Sequence, residues 1–244
     1  MKKIIFFLYQ WIIFMPLFVV LTLITALIVI ITTPIFGGRF WGYYPPMIWS
    51  RLTCRIALCR IKTKGLQNLD PKQSYIFIAN HQGAFDIFLT YGFLNHNIIW
   101  MQKQGLRNIP FVGYASEKAG HVFVDNSSPG TRARSIKKAE ENITDGVSMV
   151  IFPEGSRTLS GKMGKFKKGA FHIARDLNLP IVPITLNGPY DVMKRGTYNI
   201  IPGPLELIVH KPIPMDNITE EQLPHLISTT REIIHSALWE KYKD

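Results

Sequence analysis

Asn80-His81-Gln82-Gly83-Ala84-Phe85-Asp86 follows directly on an apolar run and sets a histidine five residues before an acid. A carboxylate can accept a hydrogen bond from one imidazole nitrogen, fixing the tautomer and stabilising the imidazolium. The other nitrogen is then free to take a proton as a general base. Within one continuous helix the two residues would stand about 140° apart, so His81 must precede the helix that carries Asp86. The same spacing also suits a structural histidine beside an acid at a helix N-terminus.

A second cluster, Phe152-Pro153-Glu154-Gly155-Ser156-Arg157, again follows an apolar run. Gly155 lets the backbone approach a ligand closely, Ser156 can donate a hydrogen bond, and the Arg157 fork can grip phosphate. Lys162, Lys165, Lys167 and Lys168 come next, before Gly169 opens a short helix. The substrate-binding candidates are Glu154, Gly155, Ser156, Arg157 and Lys167. By itself the stretch also reads as a solvated basic loop.

Four blocks occur in order: Asn80-His81-x4-Asp86, Gly120-His121-Val122-Phe123-Val124-Asp125, residues 152–157, and Val182-Pro183-Ile184. Over residues 60–215 this resembles the glycerolipid acyltransferase family that includes the 1-acylglycerol-3-phosphate acyltransferases. The resemblance implies transfer of a fatty acyl group from acyl-CoA or acyl carrier protein to the free hydroxyl of a lysophospholipid. His81 would be the base and Asp86 its partner. Glu154, Gly155 and Arg157 would bind the acceptor, with Arg157 on its phosphate, and residues 182–184 would shape the acyl side. No bound cofactor or metal is implied. The chain departs from the family pattern at Asn126, where a phosphate-binding cation is usual, and at Ser156, where threonine is usual. Arg132, Arg134 or Lys103 would have to compensate for Asn126, or the acceptor is not a bare phosphate monoester. Glycerol-3-phosphate, lysophosphatidylglycerol and lyso-aminolipids therefore stay open as acceptors, as does a non-catalytic protein that binds lipid phosphate. No Gly-x-Ser-x-Gly turn occurs and neither cysteine lies near a motif, which favours direct transfer over an acyl-enzyme.

The elements that must position these residues are short. Runs at 75–79, 98–101, 121–124, 147–152, 181–186 and 205–209 have the length and β-branched or aromatic content of strands. Between them, Ser128 can cap a helix begun by Pro129, with Ile136, Ala139 and Ile143 on one face and Gly146 at its end. The residues after Thr219 read as a C-terminal helix with Leu226, Ile233 and Leu238 apolar. Strands alternating with helices predict an α/β fold, a single sheet flanked by helices. The division expected is an N-terminal membrane-anchoring segment, 1–60, and a catalytic domain, 61–244.

Residues 4–31 carry no charge, and as a helix they would be about 42 Å long against a hydrocarbon core of about 30 Å. A tilted span fits, and so does a pair of helices bent at Pro16 that dips into one leaflet. The run is too long for a signal peptide and has no A-x-A site. Arg39, Arg51, Arg55, Arg60, Lys62 and Lys64 outnumber Lys2 and Lys3, which predicts a cytoplasmic catalytic domain. The long apolar N-terminus resembles the membrane-embedding helices of bacterial members of the acyltransferase family, which implies a bacterial inner membrane. A second helix, 47–58, could lie on the membrane. The formal charge of +11 suits anionic lipids and phosphorylated substrates. No nucleic-acid module is present. Cys54 and Cys59 match no zinc or redox spacing and read as packing residues.

Overall fold

A computed structural model describes residues 2–124 and 127–243, apart from the side chains of Lys2, Lys3, Pro129 and Arg132. The strands are β1 (Arg60–Lys64), β2 (Ile76–Ala79), β3 (Ile98–Lys103), β4 (Val122–Val124), β5 (Ser148–Ile151), β6 (Ile181–Asn187) and β7 (Pro204–Val209). They form one sheet in the order β1-β7-β6-β2-β5-β3-β4. β2 pairs in parallel with both β5 and β6, β3 pairs in parallel with β5 and β4, and β7 runs antiparallel to β6. The chain passes from β2 to β3 and β4, returns through β5, then crosses to β6 on the other side of β2. The order reverses at β2, and it is at such a reversal, outside the carboxyl ends of strands such as β2 and β5, that open α/β sheets bind ligands.

β2 shows why these residues make a central strand. Phe77 and Ala79 face one side and Ile76 and Ile78 the other, and none of the four is exposed. On the Phe77 side the N-terminal helix and helices Tyr44–Ile56 and Phe85–Phe93 close over Val150, Val182 and Ile184. On the Ile76 side helices Pro129–Glu141, Gly169–Asp176 and Leu223–Ser236 cover Met149 and Ile181.

The six expected strands are present, each within about two residues of its expected ends. β1 has no counterpart among them. Its three cations read as a basic flank, yet Ile61 and Thr63 are half-buried between exposed neighbours, the alternation of an edge strand. Pairing with β7 satisfies one side, and Lys64 reaches Glu206 at 2.8 Å.

The N-terminal residues Ile4–Phe36 form one helix rather than two helices bent at Pro16. A π-helical stretch, Gln10–Phe14, precedes the proline. Pro16 has no N–H and its ring crowds the carbonyl of Ile12, and the widened turn accommodates both without a break. Thr22, Thr32 and Thr33 bond to carbonyls four residues back at 2.6, 2.6 and 2.7 Å.

Two helix details differ from expectation. The helix opened by the Ser128–Thr131 capping box ends at Glu141, where the Asn142 side chain turns to the Gly120 carbonyl at 2.9 Å. Ile143 is buried outside the helix, and Gly146 supplies a positive φ in the turn beyond. The C-terminal helix buries Leu223, Leu226, Thr230 and Ile234, whereas Ile233 is half-buried and Leu238 is buried beyond its end. Pro224 sits in the first turn, where its missing N–H leaves no bond unmade.

Candidate active site

The site lies where the carboxyl ends of β2 and β5 adjoin. After Ala79, Asn80 is buried and its amide staples the chain to β6. Its Nδ2 donates to the Leu186 carbonyl at 2.9 Å, and its Oδ1 accepts from the Leu186 N–H at 2.8 Å. His81 follows, and the chain turns at Gly83, where a Cβ would stand 2.4 Å from the Pro189 carbonyl oxygen. Helix Phe85–Phe93 then begins, with Asp86 in its first turn. The helix dipole favours a carboxylate there.

His81 Nδ1 and Asp86 Oδ2 are 2.7 Å apart, and the Gly83 N–H donates to the same oxygen at 2.9 Å. Asp86 is fully buried. Burial pushes its carboxyl above the usual range, and the hydrogen bonds from His81 and Gly83 oppose that rise. His81 Nε2 has no hydrogen-bond partner among the described residues. The pair therefore leaves one ring nitrogen free beside a carboxylate that holds the other.

The 152–157 segment supports this histidine from the neighbouring strand end. The Phe152 ring lies 4.0 Å from the imidazole at 9°. Trp100 stacks on Phe152 at 5.5 Å and Tyr91 on Trp100 at 6.5 Å, making a column from His81 into the core. The backbone turns through a Gly155 N–H to Phe152 carbonyl bond of 3.0 Å. Glu154 Oε1 accepts from the His81 N–H at 2.8 Å, and Oε2 accepts from the Gly164 N–H at 2.9 Å. Burial pushes the Glu154 carboxyl up, against the pull of these two bonds. The Thr158 N–H donates to the His81 carbonyl at 2.9 Å. Both backbone polar groups of His81 are thus fixed by the chain that follows β5.

Gly155 has φ +77°, and a Cβ there would meet Lys167 Nζ at 2.7 Å. Lys167 is tied back by its own N–H to the Pro153 carbonyl at 2.9 Å. Ser156 and Lys167 are exposed and Arg157 is half-buried. Arg195 donates to the Arg157 carbonyl at 2.9 Å. The structure thus gathers His81, Asp86, Glu154, Gly155, Ser156, Arg157 and Lys167 at two adjacent strand ends. It does not bring Val182 and Ile184 to an open surface, since both are fully buried in β6. Lys103 ends β3, two strand spacings or about 10 Å from β2, and Arg134 lies beside β4, about 14 Å away. Asn126 and the Arg132 side chain lie outside the described residues.

His121, in the second block, is not part of this cluster. It is buried, its Nδ1 accepts from the Trp100 N–H at 3.4 Å, and its Nε2 lies 3.4 Å from the Tyr91 hydroxyl. Burial lowers its pKa to about 4. Asn80, Phe152, Thr158 and Gly164 support the site and were not among the expected site residues. Asn80 and Phe152 do stand at the ends of apolar runs, the one signal they carry. The other two are recruited through backbone atoms, which no side chain announces.

The sequence profile described as Acyltransferase matches residues 60–187, from β1 to the end of β6. The chain belongs to this acyltransferase family. A chloroplastic 1-acyl-sn-glycerol-3-phosphate acyltransferase of Brassica napus is 36% identical over 177 residues, 72% of this chain and 51% of the relative. The alpha form of that acyltransferase from Homo sapiens is 29% identical over 73% of this chain and 62% of its own length. The chain thus spans about half the length of the first-ranked curated relatives. Among solved acyltransferase structures, the 1-acyl-sn-glycerophosphate acyltransferase of Thermotoga maritima superposes with a TM-score of 0.80 over 96% of this chain and 93% of that one. At 24% identity that likeness establishes the fold.

Proposed function

We propose that this protein transfers a fatty acyl group from an acyl-CoA or acyl-carrier-protein thioester to the free hydroxyl of 1-acylglycerol-3-phosphate, giving phosphatidic acid. The shared name of the relatives supports the substrate. The observation that carries the chemistry is the buried Asp86 carboxylate 2.7 Å from His81 Nδ1. His81 Nε2 takes the proton of the acceptor hydroxyl as its oxygen bonds to the thioester carbonyl carbon. The tetrahedral oxyanion collapses, the C–S bond breaks, and the departing thiolate takes the proton back from the imidazolium. Asp86 holds the tautomer and stabilises the transient charge. Arg157 is the cation for the acceptor phosphate, through a bidentate pair, with Lys167 and Ser156 beside it. Glu154 acts within the loop, since both its oxygens receive backbone N–H groups.

Membrane attachment through residues 1–60, with the catalytic part 61–244 on the cytoplasmic face, completes the reading. Its support is the uncharged helix Ile4–Phe36, whose outer face is apolar and exposed. The test is acyl transfer by purified, folded His81→Ala and Asp86→Asn proteins, with acyl-CoA and acyl-carrier-protein donors and a panel of lysolipids. Both variants should lose about 10²–10⁴-fold in turnover. Near-normal turnover by His81→Ala would remove the histidine from the reaction.

A further inference from the structure

The N-terminal helix is fastened to the folded domain along much of its length. The Tyr9 hydroxyl donates to the Ile56 carbonyl at 2.8 Å. Gln10, buried in the π-helical stretch, donates to the Tyr198 carbonyl at 2.6 Å and accepts from the Ile200 N–H at 2.9 Å. Trp49 Nε1 donates to the Thr22 hydroxyl at 2.9 Å, and Ala26 and Val29 are buried against Ala115. From Tyr9 to Val29 is twenty residues, or about 30 Å of helix. That equals the hydrocarbon thickness of a bilayer. A helix held to its domain over that length cannot cross the bilayer and leave the domain in water. It must lie along the membrane, with Leu17, Val20, Ile24, Ile28 and Ile31 of its exposed face towards lipid.

A second apolar surface adjoins it. After β3 the chain makes a short turn, Gln104–Asn108, then Ile109, Pro110 and Phe111, then helix Val112–Lys118. Leu106, Ile109, Phe111 and Tyr114 are each 42–53% exposed. Leu106, Val112 and Ala115 share an apolar cleft with Thr25, Ala26 and Val29 of the N-terminal helix, so the two surfaces are continuous. Phe111 has φ +61° and ψ −45°, a conformation a bulky residue rarely adopts. The Phe111 carbonyl accepts the Ala115 N–H at 2.9 Å and opens the helix, while the aromatic ring is left exposed. Lys103 and Lys118 flank the segment and Arg107 lies within it, 3.2 Å from Glu117, and such cations suit anionic headgroups. β3 is parallel to β5, and β5 to β2, so this segment leaves the same edge of the sheet that carries His81.

We propose that the segment from Leu106 to Tyr114 is a second membrane-inserting element, with Ile109 and Phe111 at its tip. It enters the headgroup region of an anionic bilayer and holds the catalytic edge of the sheet at the lipid surface. The proposal rests on the membrane attachment read above, and the experiment separates the two. The full-length protein with Cys59→Ser, which leaves only the buried Cys54, receives one new cysteine at a time. Ile28→Cys reports on the helix face, Phe111→Cys and Ile109→Cys on the loop, and Glu232→Cys on the exposed C-terminal helix. Each carries an environment-sensitive fluorophore and is reconstituted in phosphatidylethanolamine–phosphatidylglycerol vesicles containing a spin-labelled lipid quencher. Quenching is expected at positions 28, 109 and 111 and not at 232. Quenching at 28 alone overturns the loop proposal while leaving the attached helix. Absence of quenching at every position overturns the membrane reading itself. Quenching at 232 as well means the whole domain sinks into lipid, which refutes a discrete inserting loop. Ile109→Cys keeps the test decisive if Phe111→Cys does not fold.

Discussion

The Glu154 carboxylate accepts the backbone N–H of His81 at 2.8 Å, so an acid from the end of β5 fixes the position of a histidine at the end of β2. Its second oxygen takes the N–H of Gly164, which ties the basic loop to the same carboxylate. The two motifs are 73 residues apart in the chain and form one rigid unit in the fold. The imidazole gains its orientation from Asp86, and its backbone is anchored by Glu154 and Thr158.

Glu154→Gln should therefore impair the chemical step more than binding. An amide keeps the shape but replaces one charge-assisted acceptor with a donor that clashes with an N–H. Hydrogen bonds to charged groups contribute about 1.5–3 kcal/mol, which corresponds to a loss of about 10–100-fold in kcat. Glu154→Asp should recover little, because the shorter stem cannot reach both N–H groups. Steady-state kinetics together with thermal unfolding of each variant would check this. An unchanged kcat in a folded Glu154→Gln protein would show that the contact has no part in catalysis.

His81 and Asp86 were legible in the sequence because their relation is local. A strand end, a turn and a first helical turn bring residues five apart together. The Ser128 cap belongs to the same class of local signal. The role of Glu154 was not legible, since its partners are backbone atoms whose positions depend on β2 and β5 being neighbours. β1 was missed for a different reason. Arg60, Lys62 and Lys64 face solvent at a sheet edge, so its hydrophobic content is two half-buried residues. The helix at the N-terminus was legible as an apolar rod. Its attachment along the domain was not, because few polar residues mark the contact and the partners of Gln10 lie about 190 positions away.

Arg157→Lys should raise the acceptor KM with a smaller effect on the donor KM. Lysine supplies the charge but not the planar fork that matches two phosphate oxygens. Arg195, which donates to the Arg157 carbonyl at 2.9 Å, sets the height of this part of the loop. Kinetics with each substrate varied in turn would test the assignment. A change confined to the donor KM would move the cation to the phosphate of the coenzyme or carrier protein.

Phe152→Leu should lower kcat while leaving both KM values close to wild type, and Phe152→Tyr should restore most of the loss. The ring face lies 4.0 Å from the imidazole, and an aromatic face favours a cation stacked on it. Leucine fills much of the volume but offers no flat face, so the imidazole can tilt away from Asp86. The ring behind, Trp100, would then also lose its partner at 5.5 Å. Equal losses in the leucine and tyrosine variants would show that only packing volume matters at this position.

His121 should give the protein an acid-sensitive stability. Burial holds its pKa at about 4, below the ordinary value near 6.5 of the unfolded chain. Between those values the unfolded state binds a proton that the folded state refuses, so stability falls as pH drops from about 6.5 and levels off below about 4. A difference of about 2.5 units corresponds to roughly 3 kcal/mol across that window. Its neutral form fits the contacts, with Nδ1 accepting from the Trp100 N–H and Nε2 facing the Tyr91 hydroxyl, which donates on to the Gly42 carbonyl at 3.2 Å. His96 and His210 are pushed down in the same direction, so the whole protein has a steeper acid dependence than one site provides. His121→Asn removes the titrating group from the cluster. The variant should be less stable than wild type at pH 7.5, through lost packing, and should lose less stability between pH 6.5 and 4.5. Denaturant midpoints measured across that range would test it, and parallel curves for the two proteins would place the acid sensitivity at the other histidines.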